Sequence, residues 1–237
     1  MCGRFTLHTE KELLAERFEV SLDGVESLAP RYNIAPAQAI LTVHMEDNAA
    51  RAEMMHWGLV PAWAKDRSKL PKMINARIET AASKPSYRSS FRRQRCLILA
   101  DGFYEWQAPA LPTQGKTPYW ISLESGQPFA MAGLWAEWRP PNEPDAEPLR
   151  SCSILTTQAN PLLVSIHERM PVILRPEAEK PWLDPALDGQ AEALSALLEP
   201  IPPKAFRSSA VSKRVNSTRN NGPELIQASD DPSLGFT

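Results

Sequence analysis

Proline sets the scale of the elements this chain can build. It occurs 23 times in 237 residues, roughly twice its usual frequency of about 5%. A residue with a fixed φ and no amide hydrogen interrupts helices and ladders, so the sequence predicts short elements separated by many turns. Apolar runs rich in β-branched and aromatic residues predict strands at Ala39 to Met45, Glu53 to Leu59, Cys96 to Ala100, Tyr119 to Leu123, Phe129 to Trp135, Cys152 to Thr156 and Pro171 to Leu174. Helical periodicity is clear at Glu10 to Phe18, after a Thr9 cap, and at Gln190 to Leu198, ending at Pro200. Glu79 to Arg93 is a further helical stretch that Pro85 should limit or kink. Strands outnumber helices without alternating with them, which argues against a parallel βαβ sheet and for a mainly antiparallel α+β fold.

A chain of this length can bury a sizeable core, and no internal repeat divides it. Residues 1–227 are expected to form one domain. Ala108 to Lys116 and Arg139 to Pro148, the latter with four prolines and three acidic residues, read as insertions joining neighbouring strands. Residues 228–237 are poor in apolar side chains and read as a disordered tail. A hydrophobic content of 43% and a formal charge of -2 describe an ordinary soluble protein. No apolar run approaches the roughly 18 to 20 residues that span a bilayer, so no membrane partner is expected. Arg4, His8, Glu10, Lys11 and Glu12 break up the opening before a secretory segment can form, and a cytoplasmic location follows as an expectation. Cys2, Cys96 and Cys152 are odd in number and widely spaced, which fits neither a disulfide framework nor a zinc cluster. Cys96 and Cys152 lie in apolar runs and are expected to be core thiols.

Cys2 is different. Its small neighbourhood, Met1-Cys2-Gly3-Arg4, permits removal of the initiator methionine, which would leave cysteine with a free α-amine. Such an amine has a reference pKa of only about 7.7 to 8.0, so much of it is neutral and nucleophilic near neutrality. A 1,2-aminothiol condenses with an aldehyde to an imine, and the thiol then closes a durable five-membered thiazolidine. The competing reading of Cys2 is a residue in a frayed terminus.

Four further features carry chemistry. Asn75 and Arg77 alternate within Met73 to Thr80, so in an extended segment an amide and a guanidinium share one face; Asn75 also suits a turn or cap. Glu105 lies between Tyr104 and Trp106 after an apolar strand, and partial burial there would raise its pKa and suit it to proton transfer, whereas an exposed alternation of Phe103 and Glu105 would need no special role. His167, flanked by both charge signs in Ile166 to Pro171, is the best acid or base among the histidines; His8, His44 and His56 read as surface or core residues. Lys84, Arg88, Arg92, Arg93 and Arg95 form a run free of acids that could follow phosphates or simply be a solvated face. Trp57 reads as core, while Trp63, beside Lys65 and Arg67, could offer a platform on which a base stacks.

Taken in order, these segments resemble the SOS-response-associated peptidase family. The resemblance rests on Met1-Cys2-Gly3-Arg4-Phe5, Arg31 to Pro36, Trp57 to Pro61 with Trp63, Asn75-Ala76-Arg77 with Glu79-Thr80, Arg95 through Trp106, His167 to Pro171, Val215-Asn216 and Pro223-Glu224-Leu225. One departure is Glu168, where the family usually has aspartate; the charge is kept. The resemblance implies a compact single domain with a barrel-like curved sheet, flanking short helices and a positively charged groove. It implies a partner, single-stranded DNA containing abasic sites, and a covalent cross-link through mature Cys2, with no cofactor or metal and a monomeric protein associated with the nucleoid when bound. His167 would promote opening of the abasic sugar and Glu105 would orient or deprotonate the Cys2 amine. Asn75 would hold the sugar oxygen or the terminal backbone. Arg4, Arg77 and Arg169 would meet flanking phosphates, and Arg88 would extend that track. Two other readings stay open. One is a cysteine peptidase with Cys2 as nucleophile and His167 as base, acting only to remove Met1 in its narrowest form. The other is a non-covalent reader of modified bases that relies on Trp63 and the basic run.

Overall fold

Short strands and shorter helices make up the fold, as the proline content requires. The computed structural model describes residues 2–26, 28–109, 115–143 and 145–229. In chain order the elements are β1 (Phe5–Leu7), α1 (Lys11–Phe18), β2 (Arg31–Ile34), β3 (Ala39–Glu46), β4 (Ala49–Trp57), β5 (Asn75–Arg77), α2 (Ile78–Ala81), α3 (Arg88–Arg93) and β6 (Arg95–Ala100). They continue with β7 (Gly102–Gln107), β8 (Thr117–Leu123), β9 (Phe129–Trp138), β10 (Leu149–Gln158), β11 (Arg169–Pro171), α4 (Pro176–Leu183), α5 (Ala191–Ala196) and β12 (Phe206–Ala210).

One set of pairings closes on itself. β10 pairs β4, β4 pairs β3, β3 pairs β6, β6 pairs β9, and β9 pairs back onto β10. Closure of this kind removes unpaired edges. Only the β4–β10 contact in this ring is parallel, and β5 and β11 continue along β10 beyond it. A second, antiparallel sheet runs in the order β12-β8-β7-β1-β2. The two sheets share a core: Phe5 of β1 meets Trp57 of β4 edge-on with ring centroids 5.2 Å apart. The result is a mainly antiparallel α+β fold with a barrel-like sheet. Cys96 and Cys152 are buried within it. Among the described residues no helix is long and apolar enough to cross a membrane.

Several boundaries differ from the sequence expectation, each for a local reason. β4 begins at Ala49 rather than Glu53, because Asp47 and Asn48 both adopt positive φ, 51° and 61°, and form a two-residue hairpin turn from β3. Left-handed conformations at both central positions match the twist of the strands they join. β4 ends at Trp57 because Gly58 turns away at φ 144°. The stretch from Glu79 to Arg93 is two helices, α2 and α3, with Pro85 in the break. Thr9 does not cap α1; its amide and hydroxyl go to Asp101, and Glu10 occupies the cap position without a side-chain bond. α4 tolerates Pro181 in its interior and starts with Pro176 at a position where a missing amide costs nothing. The expected strand at Pro171 to Leu174 is shifted back to Arg169–Pro171, with Ile173 bridging Met131 beyond it.

Both insertions join antiparallel neighbours, β7 to β8 and β9 to β10, although residues 110–114 and 144 lie outside the described residues. Residues 228 and 229, placed in the expected tail, pair with the domain. Ala228 bridges Val211, and the Ser229 amide donates to the Ala210 carbonyl at 2.8 Å. The remainder of the expected tail, 230–237, lies outside the described residues.

Gly102 marks the tightest approach in the second sheet. A β-carbon there would stand 2.4 Å from Trp120 Nε1 and 2.8 Å from the Ile121 carbonyl oxygen. The indole could turn aside, but the paired backbone of β8 could not. Gly102→Ala is therefore expected to destabilise the protein by about 1–3 kcal/mol through overpacking. A lower urea midpoint at unchanged slope is the expected result.

Candidate active site around Cys2

The N-terminal segment is held in the interior. Cys2 is fully buried, so it is not a frayed residue. Its carbonyl accepts a 2.8 Å hydrogen bond from Asn75 Nδ2. The segment that follows is paired along its length: Tyr104 N donates to Arg4 O at 2.9 Å, and Asp101 N to Thr6 O at 2.8 Å. Asp101 in turn accepts from the backbone amides of His8 and Thr9. A buried carboxylate thus fixes the point where β1 leaves its sheet.

Asn75 reaches Cys2 because β5 lies against β10, with Asn75 opposite Ile154. Neighbours lock the strand there. Trp57 Nε1 donates to Ile74 O at 3.0 Å, and the Tyr87 hydroxyl to Asn75 O at 3.1 Å. The Asn75 side chain spends its amide on Cys2, while its oxygen is buried with no partner among the described residues. A buried acceptor left open in this way is available to a ligand donor.

Glu105 enters from β7 and is also buried, which removes the reading of it as an exposed residue. The aromatic neighbours along the chain are not what bury it. Strand alternation sends Tyr104 and Trp106 to the opposite face, where they pack with Val211, Val215 and Leu225. Burial raises the Glu105 pKa, and the positive charges of the chain's amino terminus and of His167 pull it back down. The Cys2 thiol is pushed well up by burial and then by the Glu105 charge. It is held as a neutral thiol that donates to the Arg4 carbonyl 4.0 Å away.

His167 follows a tight turn in which Asn160 Oδ1 accepts from the amides of Leu162 and Leu163, both at 3.0 Å. Gln107 Nε2 bonds Ser165 O at 3.0 Å and ties this turn to the strand that carries Glu105. Arg169 N lies 3.0 Å from His167 Nδ1 and donates to it, which places the proton of the neutral ring on Nε2. The Arg169 carbonyl is 3.2 Å from the same nitrogen and can accept from it when the ring is protonated. One residue's backbone therefore orients the imidazole in both charge states.

The expected DNA-contacting residues divide into two groups. Arg169 is buried and committed: its guanidinium makes 2.6 and 3.0 Å bonds to Glu79 and a 2.6 Å bond to Thr156 O. Arg4 is half-buried, with Nη1 donating to Asn33 Oδ1 at 2.6 Å and Val215 O at 2.8 Å, and it lies over Trp106. The Nε of each is buried with no partner among the described residues. Arg77 and Arg88 are exposed, as are Lys84, Arg92 and Arg93. Arg95 leaves the basic run, since it is buried against Asp188 and the Trp182 and Asp184 carbonyls. Trp57 is core, whereas Trp63 is 60% exposed on the segment between β4 and β5. The sequence reading missed the roles of Tyr87, Asp101 and the Glu79–Arg169 pair. That pair joins residues 90 positions apart and leaves no local pattern. Among the described residues no three His, Cys, Asp or Glu side chains gather where a metal could be held.

A family model described as SOS response associated peptidase (SRAP) matches residues 1–218. The chain is 44% identical over 229 residues to the abasic site processing protein YoqW of Bacillus subtilis strain 168, covering 96% of this chain and 100% of that protein. It is 32% identical over 231 residues to the abasic site processing protein YedK of Escherichia coli strain K12, covering 96% and 99%. Its fold is similar to that of a crystal structure of a Bacteroides thetaiotaomicron protein, with a TM-score of 0.84 at 25% identity, over 96% of this chain and 100% of that one.

The raised pKa of Glu105 has a consequence for stability. The folded protein holds this proton more tightly than the unfolded chain, so its contribution is complete below the unfolded pKa and is lost as pH rises through the folded one. Glu105→Gln has no charge to bury. Its melting temperature should exceed that of the parent at about pH 8, with the advantage shrinking toward about pH 4, near the reference carboxyl pKa. Calorimetry across that range checks the sign.

Proposed function

Because this chain belongs to the SOS response associated peptidase family, we propose that it processes abasic sites in DNA, and that it does so by forming a thiazolidine between Cys2 and the abasic sugar of a single strand. The observation that carries this reading is the enclosure of Cys2 by Asn75 and Glu105, with His167 within electrostatic reach of that carboxylate. Removal of Met1 would turn the Cys2 backbone nitrogen into an α-amine beside the carboxylate.

The residues then have distinct tasks. When its ring is protonated, His167 can pass the Nε2 proton to the sugar ring oxygen while the C1' hydroxyl proton returns to the imidazole, which opens the hemiacetal to the C1' aldehyde. Glu105 accepts a proton from the Cys2 ammonium, and the neutral amine adds to C1'. The protonated His167 gives the departing hydroxyl its proton, water leaves, the remaining nitrogen proton returns to the imidazole, and an imine remains. The Cys2 sulfur adds to the same carbon while the thiol proton moves to the imine nitrogen. Amine, aldehyde and thiol become one thiazolidine and one water, with no change of oxidation state. Proximity within one residue favours ring closure greatly over any external thiol. The unpartnered Asn75 oxygen is available to a sugar hydroxyl, and Arg77 with Arg88 offers charge to the flanking phosphates.

The same features weigh against a general cysteine peptidase. That chemistry starts from a thiolate, and the thiol here is buried beside a carboxylate, which disfavours the anion. An imine, by contrast, is electrophilic enough for a neutral thiol to close on it. A non-covalent reader would need neither the buried Cys2 nor its carboxylate.

Three experiments test the assignment on abasic single-stranded DNA. A protein with Met1 retained or a tag before Cys2 should form no heat-stable adduct while keeping salt-sensitive DNA binding; an adduct from the blocked protein would overturn the aminothiol mechanism. Cys2→Ala, with Met1 removed, should give a borohydride-trappable complex and strand nicking in place of the stable adduct. Glu105→Gln and His167→Ala should slow adduct formation by roughly 10²- to 10⁴-fold, as expected for lost acid or base groups.

A further inference from the structure

Beside the Cys2 site lies a shallow cavity of about 390 Å³ lined by Arg77, Gln158, Ala159, Val164, Glu168 and Arg169. Its position follows from strand register. Arg77 is opposite Thr156 just as Asn75 is opposite Ile154, so the cavity begins about 7 Å along β5 from the amide that holds Cys2. On its other side Glu168 directly follows His167. Any polymer carrying its reacting sugar to Cys2 must lay a neighbouring unit near this cavity.

The lining is unusual for a surface that meets DNA. Arg169 is neutralised by Glu79, which leaves Arg77 as the cation that faces the opening. Glu168 and Gln158 are exposed, and neither side chain has a hydrogen bond or ion pair among the described residues. Val164 is 58% exposed, one of the few large apolar side chains so placed, and the Asn160 turn fixes it there. A carboxylate repels phosphate. It belongs in such a place only if it meets a donor, and the donors that DNA offers are on base edges.

We propose that this cavity is a subsite for the nucleobase adjacent to the abasic position, and that it favours cytosine or adenine over thymine or guanine. Val164 and Ala159 cover part of the base face, and Arg77 takes the phosphate of the same nucleotide. Glu168 accepts from the exocyclic amine. The Gln158 amide donates to the ring nitrogen beside that amine. Cytosine and adenine both present this donor and acceptor pair on their pairing edge. Thymine and guanine place a carbonyl oxygen where the amine would be, against the carboxylate. The volume suits one such unit, since it lies at the low end of pockets that hold small ligands.

The inference rests on the proposed DNA substrate but not on the covalent chemistry, and its test separates the two. Single strands carrying a tetrahydrofuran abasic analogue cannot cross-link, so their binding reads the subsite alone. Strands with C, A, G or T on each side of the analogue in turn should show affinities differing by about five- to tenfold, with C and A tighter on one side, an effect at the low end for one well-paired base edge. Glu168→Ala and Gln158→Ala should bring the four affinities within about twofold, whereas Arg77→Ala should weaken all four alike. Equal affinities in the parent protein would overturn the subsite, as would a preference that survives Glu168→Ala. If the preference is present but natural abasic strands form no adduct, the subsite stands and the thiazolidine mechanism falls.

Discussion

An N-terminal segment can be buried only if its backbone groups find partners, since each unpaired buried amide or carbonyl costs about as much as a lost hydrogen bond. Residues 2 to 9 meet that condition by several independent means. Cys2 O goes to a side-chain amide, Arg4 O and Thr6 O to β7 and its entry, and the amides of His8 and Thr9 to the Asp101 carboxylate. The opposite end of the domain reinforces the arrangement. Asn33 Nδ2 donates to the carbonyls of Val215, Ser217 and Asn220, and Val215 O also accepts from Arg4. The strand that presents Cys2 is thereby clasped by a segment more than 200 residues away in sequence, 211 in the Arg4 contact. Terminal residues are ordinarily mobile; here these bonds give Cys2 a defined place.

Two buried charges beside this segment are treated in opposite ways. Arg169 is given a bidentate carboxylate and a carbonyl, and its charge is thereby satisfied within the fold. Removing Glu79 would leave an uncompensated cation, the costly case for buried pairs. Burial raises the Glu105 pKa, and the opposing positive charge comes from the chain's amino terminus and from His167. A carboxylate paired with a permanent cation would be a poor proton acceptor. One poised by burial between two titratable groups can exchange protons at modest cost, and perturbed groups of this kind concentrate where chemistry occurs.

The sequence disclosed the periodic parts of this architecture and hid the parts fixed by distant pairing. The apolar runs that became β3, β6, β8, β9 and β10 were legible because they are rich in β-branched and aromatic residues. β1 and β5 were not, since three residues with mixed polarity carry no period of their own and exist only because β7 and β10 pair with them. Cys2, Asn75, Glu105 and His167 could be nominated from residue type and local context. Tyr87 and Asp101 could not, because a tyrosine that bonds a strand carbonyl looks like any core tyrosine, and an aspartate after an apolar run looks like any turn residue. The partners of Arg4 and Arg169 within the fold were not legible for the reason that makes arginine versatile: the fork that suits phosphate suits a carboxylate or a pair of carbonyls equally well.

The site is divided between the two sheets. Cys2 and Glu105 belong to the β1–β7 side, whereas Asn75 and the turn leading to His167 hang from β10 on the barrel. The Asn75–Cys2 bond spans that division, as do the Phe5–Trp57 contact and the Gln107–Ser165 bond. Relative movement of the sheets would therefore change the distance between Glu105 and His167 before it unfolded either sheet. Close packing resists such movement, because a shift of well under an ångström already forfeits much of the dispersion energy across a contact. The position of the reacting groups is thus a property of the whole core rather than of any loop. That is why a glycine such as Gly102, with no chemistry of its own, sits at the start of the strand that delivers Glu105: it sets how closely β7 and β8 approach, and through them where the carboxylate stands.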